Sequence, residues 1–129
     1  MKNTLIIIMC GTFLWGATAH AKRARVVYLE NEDMGVVRLQ GGKATVLSFP
    51  TKPEKVICGN KSLFSIEFVE NDVVITPLSS SAHSNLFIYL FGRRFGFDLM
   101  TSTGDTDEIL VVRDTPTKNE KNSKNHKNS

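Results

Sequence analysis

Cysteine and histidine are scarce in this 129-residue chain, with two of the first and three of the second. Cys10 falls in an N-terminal apolar run expected to be cleaved off as a signal peptide, which leaves Cys58 without an intrachain partner and excludes a disulfide framework. Cys58 ends the segment V-I-C-G-N and reads as a small buried hydrophobe in preference to a reactive thiol. His20, His83 and His126 form no pair with each other or with cysteine at ligand spacing, so no metal site is expected. Asp105-Thr106-Asp107-Glu108 lacks the remaining oxygen ligands and the downstream glutamate of a calcium loop, and reads as a solvated turn. No glycine-rich phosphate loop precedes a helix, which removes support for nucleotide binding. Ser81, His83 and Asp98 or Asp105 could compose a hydrolase triad, but no nucleophile-elbow glycines accompany them. A Cys58-His83 dyad has the right residue types but none of the flanking pattern of a catalytic cysteine. The expectation is no enzyme, with no catalytic residue, cofactor or metal. Helical periodicity longer than two turns is missing as well, which points to an all-β protein.

Three regions differ in composition. Met1-Lys2-Asn3 is a short cationic start, Thr4 to Gly16 is mostly apolar, and Ala19-His20-Ala21 is a small-x-small step, together the pattern of a secretory signal peptide over residues 1–21. Met9 stands before Cys10 where a lipoprotein signal needs a small residue, so lipidation is not expected. Residues 115–129 contain no aliphatic or aromatic side chain and read as a disordered Lys/Asn-rich tail. Between these lies one small domain, residues 22–114. Val26 to Asp114 carries eight Lys or Arg against twelve Asp or Glu, whereas the tail carries four Lys against one Glu, so the basic balance of the chain resides in its ends. Lys118, Lys121, Lys124 and Lys127 are candidate contacts for anionic envelope surfaces; without interleaved aromatics they offer no base-stacking platform, and specific nucleic-acid recognition is not expected.

What the domain has in quantity is short β-rich runs between turn signals: Arg25–Leu29, Val36–Leu39, Thr45–Phe49, Lys55–Ile57, Phe64–Val69, Val73–Ile75, Leu86–Phe91, Arg94–Met100 and Glu108–Arg113. This rhythm suggests a sandwich or a partly closed barrel, and the fold expected is an immunoglobulin-like antiparallel β-sandwich of about eight or nine short strands. Gly41-Gly42 is expected to join the second and third runs as a hairpin, and Glu70-Asn71-Asp72 the fifth and sixth. Phe64, Ile66 and Phe68 alternate with Ser65 and Glu67 and should share one face. Pro77 should end its strand, leaving Leu78 to Ser84 as a serine-rich loop that includes His83.

The richest segment is S-N-L-F-I-Y-L-F-G-R-R-F-G-F-D-L, residues 84–99. Gly92-Arg93 suits a two-residue type II′ turn, which would pair Phe91 with Arg94, Leu90 with Phe95 and Ile88 with Phe97. One face is then wholly apolar: Leu86, Ile88, Leu90, Phe95, Phe97 and Leu99. The opposite face carries an aromatic stripe, Phe87, Tyr89 and Phe91, beside Arg94. That stripe is either covered by a second sheet of the same sandwich or is a partner interface; a loop longer by one residue would exchange the two faces.

These segments, taken in order, resemble the N-terminal domain of the TrbG/CagX conjugal-transfer family, the periplasmic and outer-membrane core subunits of type IV secretion systems. The matching pieces are Thr45 to Pro50, Val56-Ile57-Cys58-Gly59-Asn60, Phe64-Ser65-Ile66, Ile75-Thr76-Pro77, Ser84-Asn85-Leu86-Phe87-Ile88 and Arg93-Arg94-Phe95-Gly96-Phe97-Asp98-Leu99. Family members usually carry Trp at the place of Phe64, Thr at that of Ser84 and often Lys at that of Thr76, and they continue into a second β-domain. The resemblance, over roughly Gly35 to Leu99, implies a non-catalytic structural or assembly role in a cell-envelope secretion complex, periplasmic and tied to the outer membrane through partners or self-association. A periplasmic adaptor of a secretin or pilus-assembly system is the alternative, since such domains also use short strands and a similar N-L-x-[VI] hairpin.

Overall fold

The computed structural model describes residues 16–17, 22–30 and 33–115. Most of the signal-like segment and the lysine tail with Lys118, Lys121, Lys124 and Lys127 lie outside the described residues. Nine strands follow one another: β1 (Arg25–Leu29), β2 (Met34–Leu39), β3 (Thr45–Ser48), β4 (Lys55–Cys58), β5 (Phe64–Val69), β6 (Asp72–Pro77), β7 (His83–Leu90), β8 (Arg93–Thr101) and β9 (Ile109–Asp114). They form a five-stranded sheet, β1-β9-β3-β6-β5, and a four-stranded sheet, β2-β8-β7-β4. The protein is therefore an all-β sandwich with no helix among the described residues, and none of them forms a helix long and apolar enough to cross a membrane.

Its sheets are mixed, not antiparallel throughout. β1 and β3 both run parallel to β9, and β2 runs parallel to β8. The cause lies in the connections: only β5–β6 and β7–β8 are joined within one sheet, while every other connection passes from one layer to the other. Gly41-Gly42 accordingly makes no hairpin. It forms a tight turn closed by the Lys43 N–H donating to the Gln40 carbonyl, with Gly42 at φ +75°, and delivers the chain from β2 in one sheet to β3 in the other. The Glu70-Asn71 turn does join β5 to β6 as a hairpin, closing on Val69 opposite Asp72.

Alternation packs the interior. Val37 and Leu39 of β2, Leu47 of β3, Val73 and Ile75 of β6, Leu86, Ile88 and Leu90 of β7, Phe95, Phe97 and Leu99 of β8, and Leu110 and Val112 of β9 are all buried in one core. Phe97 meets Phe49 edge to face at 6.3 Å between ring centroids. Gly35 is buried where a Cβ would stand 3.1 Å from the Phe97 ring and 3.3 Å from Leu29, so β2 carries glycine where the core is already full.

The β7–β8 hairpin differs from expectation in register but not in facing. Leu90 pairs with Arg93, Tyr89 with Arg94, Ile88 with Phe95 and Leu86 with Phe97, so the turn is Phe91-Gly92, both residues at positive φ (+53° and +67°). That is a type I′ turn, which like type II′ matches the twist of the flanking strands and here takes the glycine at its second position. The pairing shifts by two residues in sum, an even number, so Leu86, Ile88, Leu90, Phe95, Phe97 and Leu99 still share the buried face. Phe91 leaves the stripe and becomes the turn tip, 64% exposed. His83 is not in the serine-rich loop: β7 begins there.

Candidate functional site: the outer face of the four-stranded sheet

The odd-numbered residues of β7 and the even-numbered residues of β8 point away from the five-stranded sheet, as the burial alternation of both strands records. Among the described residues no second layer covers Phe87 and Tyr89; they lie half-buried on the outer face. Registers across the sheet build rows there. One row reads Lys55, Tyr89, Arg94, which places the tyrosine between two cationic side chains. The next reads Ile57, Phe87, Gly96, Met34 and spans all four strands. Gly96 has no side chain, and its neighbours occupy the space: a Cβ there would meet the Met34 thioether and the Phe87 ring, the latter at 3.3 Å. Met34 and Phe87 thus converge over Gly96 into a continuous apolar band, with Ile57 and Met34 exposed at its two ends. A third row, Asn85, Asp98, Val36, borders the band on its other side.

Of the sequence-proposed interface residues, Phe87, Tyr89 and Arg94 come together on this face, and Phe91 sits at the hairpin tip beyond it. Met34 and Ile57 complete the band and were not among them. Both occupy outward positions of their own strands, a signal present in the sequence, but they join Phe87 only through pairings that alternation cannot specify.

The segments V-I-C-G-N and S-N-L-F-I meet at the end of this sheet. The Gly59 N–H donates to the Asn85 carbonyl and the Asn60 N–H to Ser84 Oγ, while a Cβ on Gly59 would lie inside van der Waals range of the Asn85 amide. Asn60 Oδ1 in turn accepts from Ser62 Oγ at 2.7 Å. These contacts hold β4 against β7 and explain glycine, asparagine and serine there as structural parts.

Chemistry-bearing residues remain apart. Cys58 is buried on the core side opposite Leu86, 3.8 Å from Ser84 Oγ, whereas His83 is exposed on the outer face opposite Met100. No group of three or more His, Cys, Asp or Glu is placed to hold a metal among the described residues.

Asp107 corrects the solvated-turn expectation for residues 105–108. Its carboxylate, only 7% exposed, accepts from Arg25 Nε and Nη2 at 2.8 Å each and from the Arg38 N–H at 2.9 Å. Its carbonyl accepts from buried Thr45 Oγ1 at 2.6 Å, and its N–H donates to the Arg38 carbonyl at 2.7 Å. Arg25 also donates to the Val36 carbonyl, so β1, β2, β3 and the approach to β9 are clasped together. Burial by itself would push the Asp107 carboxyl up; the Arg25 hydrogen bonds, the Arg38 N–H and the charges of both arginines outweigh it and hold the group below the ordinary 3.8. At the other end of β9, Asp114 pairs with Arg93 from the start of β8, and the Arg93 guanidinium lies 5.9 Å from the Phe95 ring centroid. Asp107 and Asp114 thus each link the two sheets, one through the Arg38 N–H of β2 and the other through Arg93 of β8.

Fold and site define a β-sandwich with an apolar band on one outer face and no assembled catalytic group among the described residues. No family model matches the chain, and no curated protein is significantly similar to it.

Proposed function

We propose that this protein is a non-catalytic assembly module of a cell-envelope complex of the type IV secretion or conjugal-transfer kind, working in the periplasm after loss of residues 1–21. The observation that carries this reading is the band Ile57–Phe87–Gly96–Met34, flanked by Tyr89, Lys55 and Arg94, on a sheet face that the sandwich leaves uncovered. Burying aromatic and aliphatic side chains against another protein is what such a face does well, and the neighbouring cations give direction to the contact. The succession of motifs from Thr45 to Leu99 supplies the kind of complex, since those residues resemble the first domain of the TrbG/CagX subunits. Other envelope secretion proteins are the partners in this reading, and the lysine tail adds a weak, salt-sensitive attraction to anionic surfaces.

Co-purification of the tagged chain from a secretion-competent host, followed by identification of the bound envelope subunits, tests it. Phe87→Asp, which places a charge in the band, should abolish that association in a protein that still folds. A chain that associates with no secretion subunit, and whose deletion leaves conjugal transfer and secretion unchanged, would overturn the proposal.

A further inference from the structure

We propose that two copies of this chain recognise each other through the open edge of β5, antiparallel about a two-fold axis at Ile66. The sandwich has four edge strands, β1 and β5 in one sheet and β2 and β4 in the other. β2 is blunted, because the Arg25 guanidinium takes the Val36 carbonyl and the Asp107 carboxylate takes the Arg38 N–H. β4 has four residues and follows Pro53. β1 turns only Val26 and Tyr28 outward, since the Leu29 carbonyl, in phase with residues 25 and 27, is engaged by the Thr115 N–H. β5 is different: six residues long with a single charged side chain, Glu67.

Hydrogen-bond phase fixes which of its backbone groups face outward. The Leu78 N–H donates to the Leu63 carbonyl, and Phe64 stands opposite Pro77, which has no N–H to give. Ser65, Glu67 and Val69 therefore bond to β6, and the N–H and carbonyl groups of Phe64, Ile66 and Phe68 point away from the sheet. The side chains of these same three residues, with Val56, Cys58 and Lys61, line an apolar groove of about 280 Å³ between the β4 and β5 edges of the sandwich. Phe68 at its mouth is 56% exposed although it lies on the core-side face of its strand.

A second copy satisfies this edge in one register. Directly opposite residues share a face, so when a strand pairs antiparallel with a copy of itself the two residue numbers of each pair must sum to an even number. With Ile66 opposite Ile66, Phe64 faces Phe68 of the second copy at both ends, and all three outward-facing residues of each strand enter narrow pairs, about six N–H···O=C bonds. Ser65 then faces Glu67, so the one charged side chain of each strand stands opposite a neutral hydroxyl of the other. Moving the axis to Glu67 would set like charges against each other, and moving it to Ser65 would carry Phe68 past the end of the strand to Ser62. Antiparallel pairing also brings the exposed Phe68 ring of each copy over Phe64 of the other, at the mouths of the two grooves. This concerns self-recognition, and it stands or falls independently of the complex in which the protein serves.

Light scattering on the purified full chain should give twice the chain mass, with dissociation on dilution. Ile66→Pro removes an N–H that β6 does not use, so this variant should retain a cooperative melt and run at half the wild-type mass. In a Cys10→Ser, Cys58→Ala background, Ile66→Cys should oxidise to a covalent dimer, because residues facing each other across the axis fall within disulfide reach, whereas Phe64→Cys or Val69→Cys should not. A wild-type protein that is monomeric at its highest soluble concentration overturns the proposal. So does a dimer that survives Ile66→Pro but is lost in Phe87→Asp, which would place self-association on the other sheet. If Ile66→Pro fails to fold, the cysteine series decides: oxidation at position 64 or 69 in preference to 66 overturns the register.

Discussion

Replacing Asp107 by alanine should cost this small domain more than any other single change at a polar residue. The carboxylate accepts three N–H bonds, two from a guanidinium and one from the β2 backbone, and is almost wholly shielded from water. Truncation leaves Arg25 without its counter-charge and the Arg38 N–H without its acceptor. Removing one partner from a fully buried ion pair costs about 3–5 kcal/mol. Arg25, however, is 39% exposed, so water takes up part of the loss, and a cost of about 2–3 kcal/mol follows. In a domain of this size that corresponds to a fall in Tm on the order of 10–20 °C. Asp107→Asn keeps an oxygen for the Arg38 N–H but loses the charge, and should cost about half as much. The clasp also has a pH signature. The folded carboxyl titrates below its unfolded value of 3.8, so its contribution is intact well above 3.8 and is lost as pH falls through 3.8 toward the lower folded value. Thermal denaturation followed by circular dichroism, at neutral pH and from pH 5 downward, with Asp105→Ala as an exposed control, measures both. The reasoning is refuted if Asp107→Ala melts with Asp105→Ala, or if the two variants keep their separation at a pH where the Asp107 carboxyl is protonated.

Three further outcomes follow from the hairpin and the chemistry-bearing residues. Ile88→Ala, fully buried opposite Phe95, should cost about 2–5 kcal/mol, whereas Tyr89→Ala on the outer face should leave Tm nearly unchanged and weaken partner association; chemical denaturation and co-purification separate the two, and equal destabilisation would mean that the outer face is covered. Phe91→Asn should stabilise the hairpin by about 1 kcal/mol, because asparagine tolerates the left-handed conformation that Phe91 adopts at +53°; a lower urea midpoint for this variant would contradict the type I′ turn. His83→Ala and Cys58→Ala should preserve association with envelope partners in folded protein, since the two side chains lie on opposite faces of the sheet; loss of function in a stable, normally abundant His83→Ala variant would restore a catalytic role.

All nine strands were legible in the chain as alternating runs between turn residues, and so was the buried face of the β7–β8 hairpin. That face survived a change of turn from Gly92-Arg93 to Phe91-Gly92 because side-chain facing depends only on even or odd position, and the two registers have the same parity. Turn choice itself was less legible: phenylalanine at positive φ runs against local preference, and the twist of the flanking strands prevails. Cys58 was legible as a buried residue because it ends an apolar run. Which strands lie side by side was not. A β-strand offers the same N–H and C=O groups to any neighbour, so its own residues define its faces without naming its partners, and the parallel pairs β1–β9, β3–β9 and β2–β8 arise only when two layers close on a shared core. The clasp of Asp107 on Arg25, 82 residues apart in the chain, the meeting of Met34 and Phe87 over Gly96, and the open edge of β5 beside its groove are all consequences of that closure. Composition and alternation determine that this chain makes short strands with one apolar face; the packing of two sheets decides which outward residues become neighbours, which charges are buried, and which edge is left unpaired.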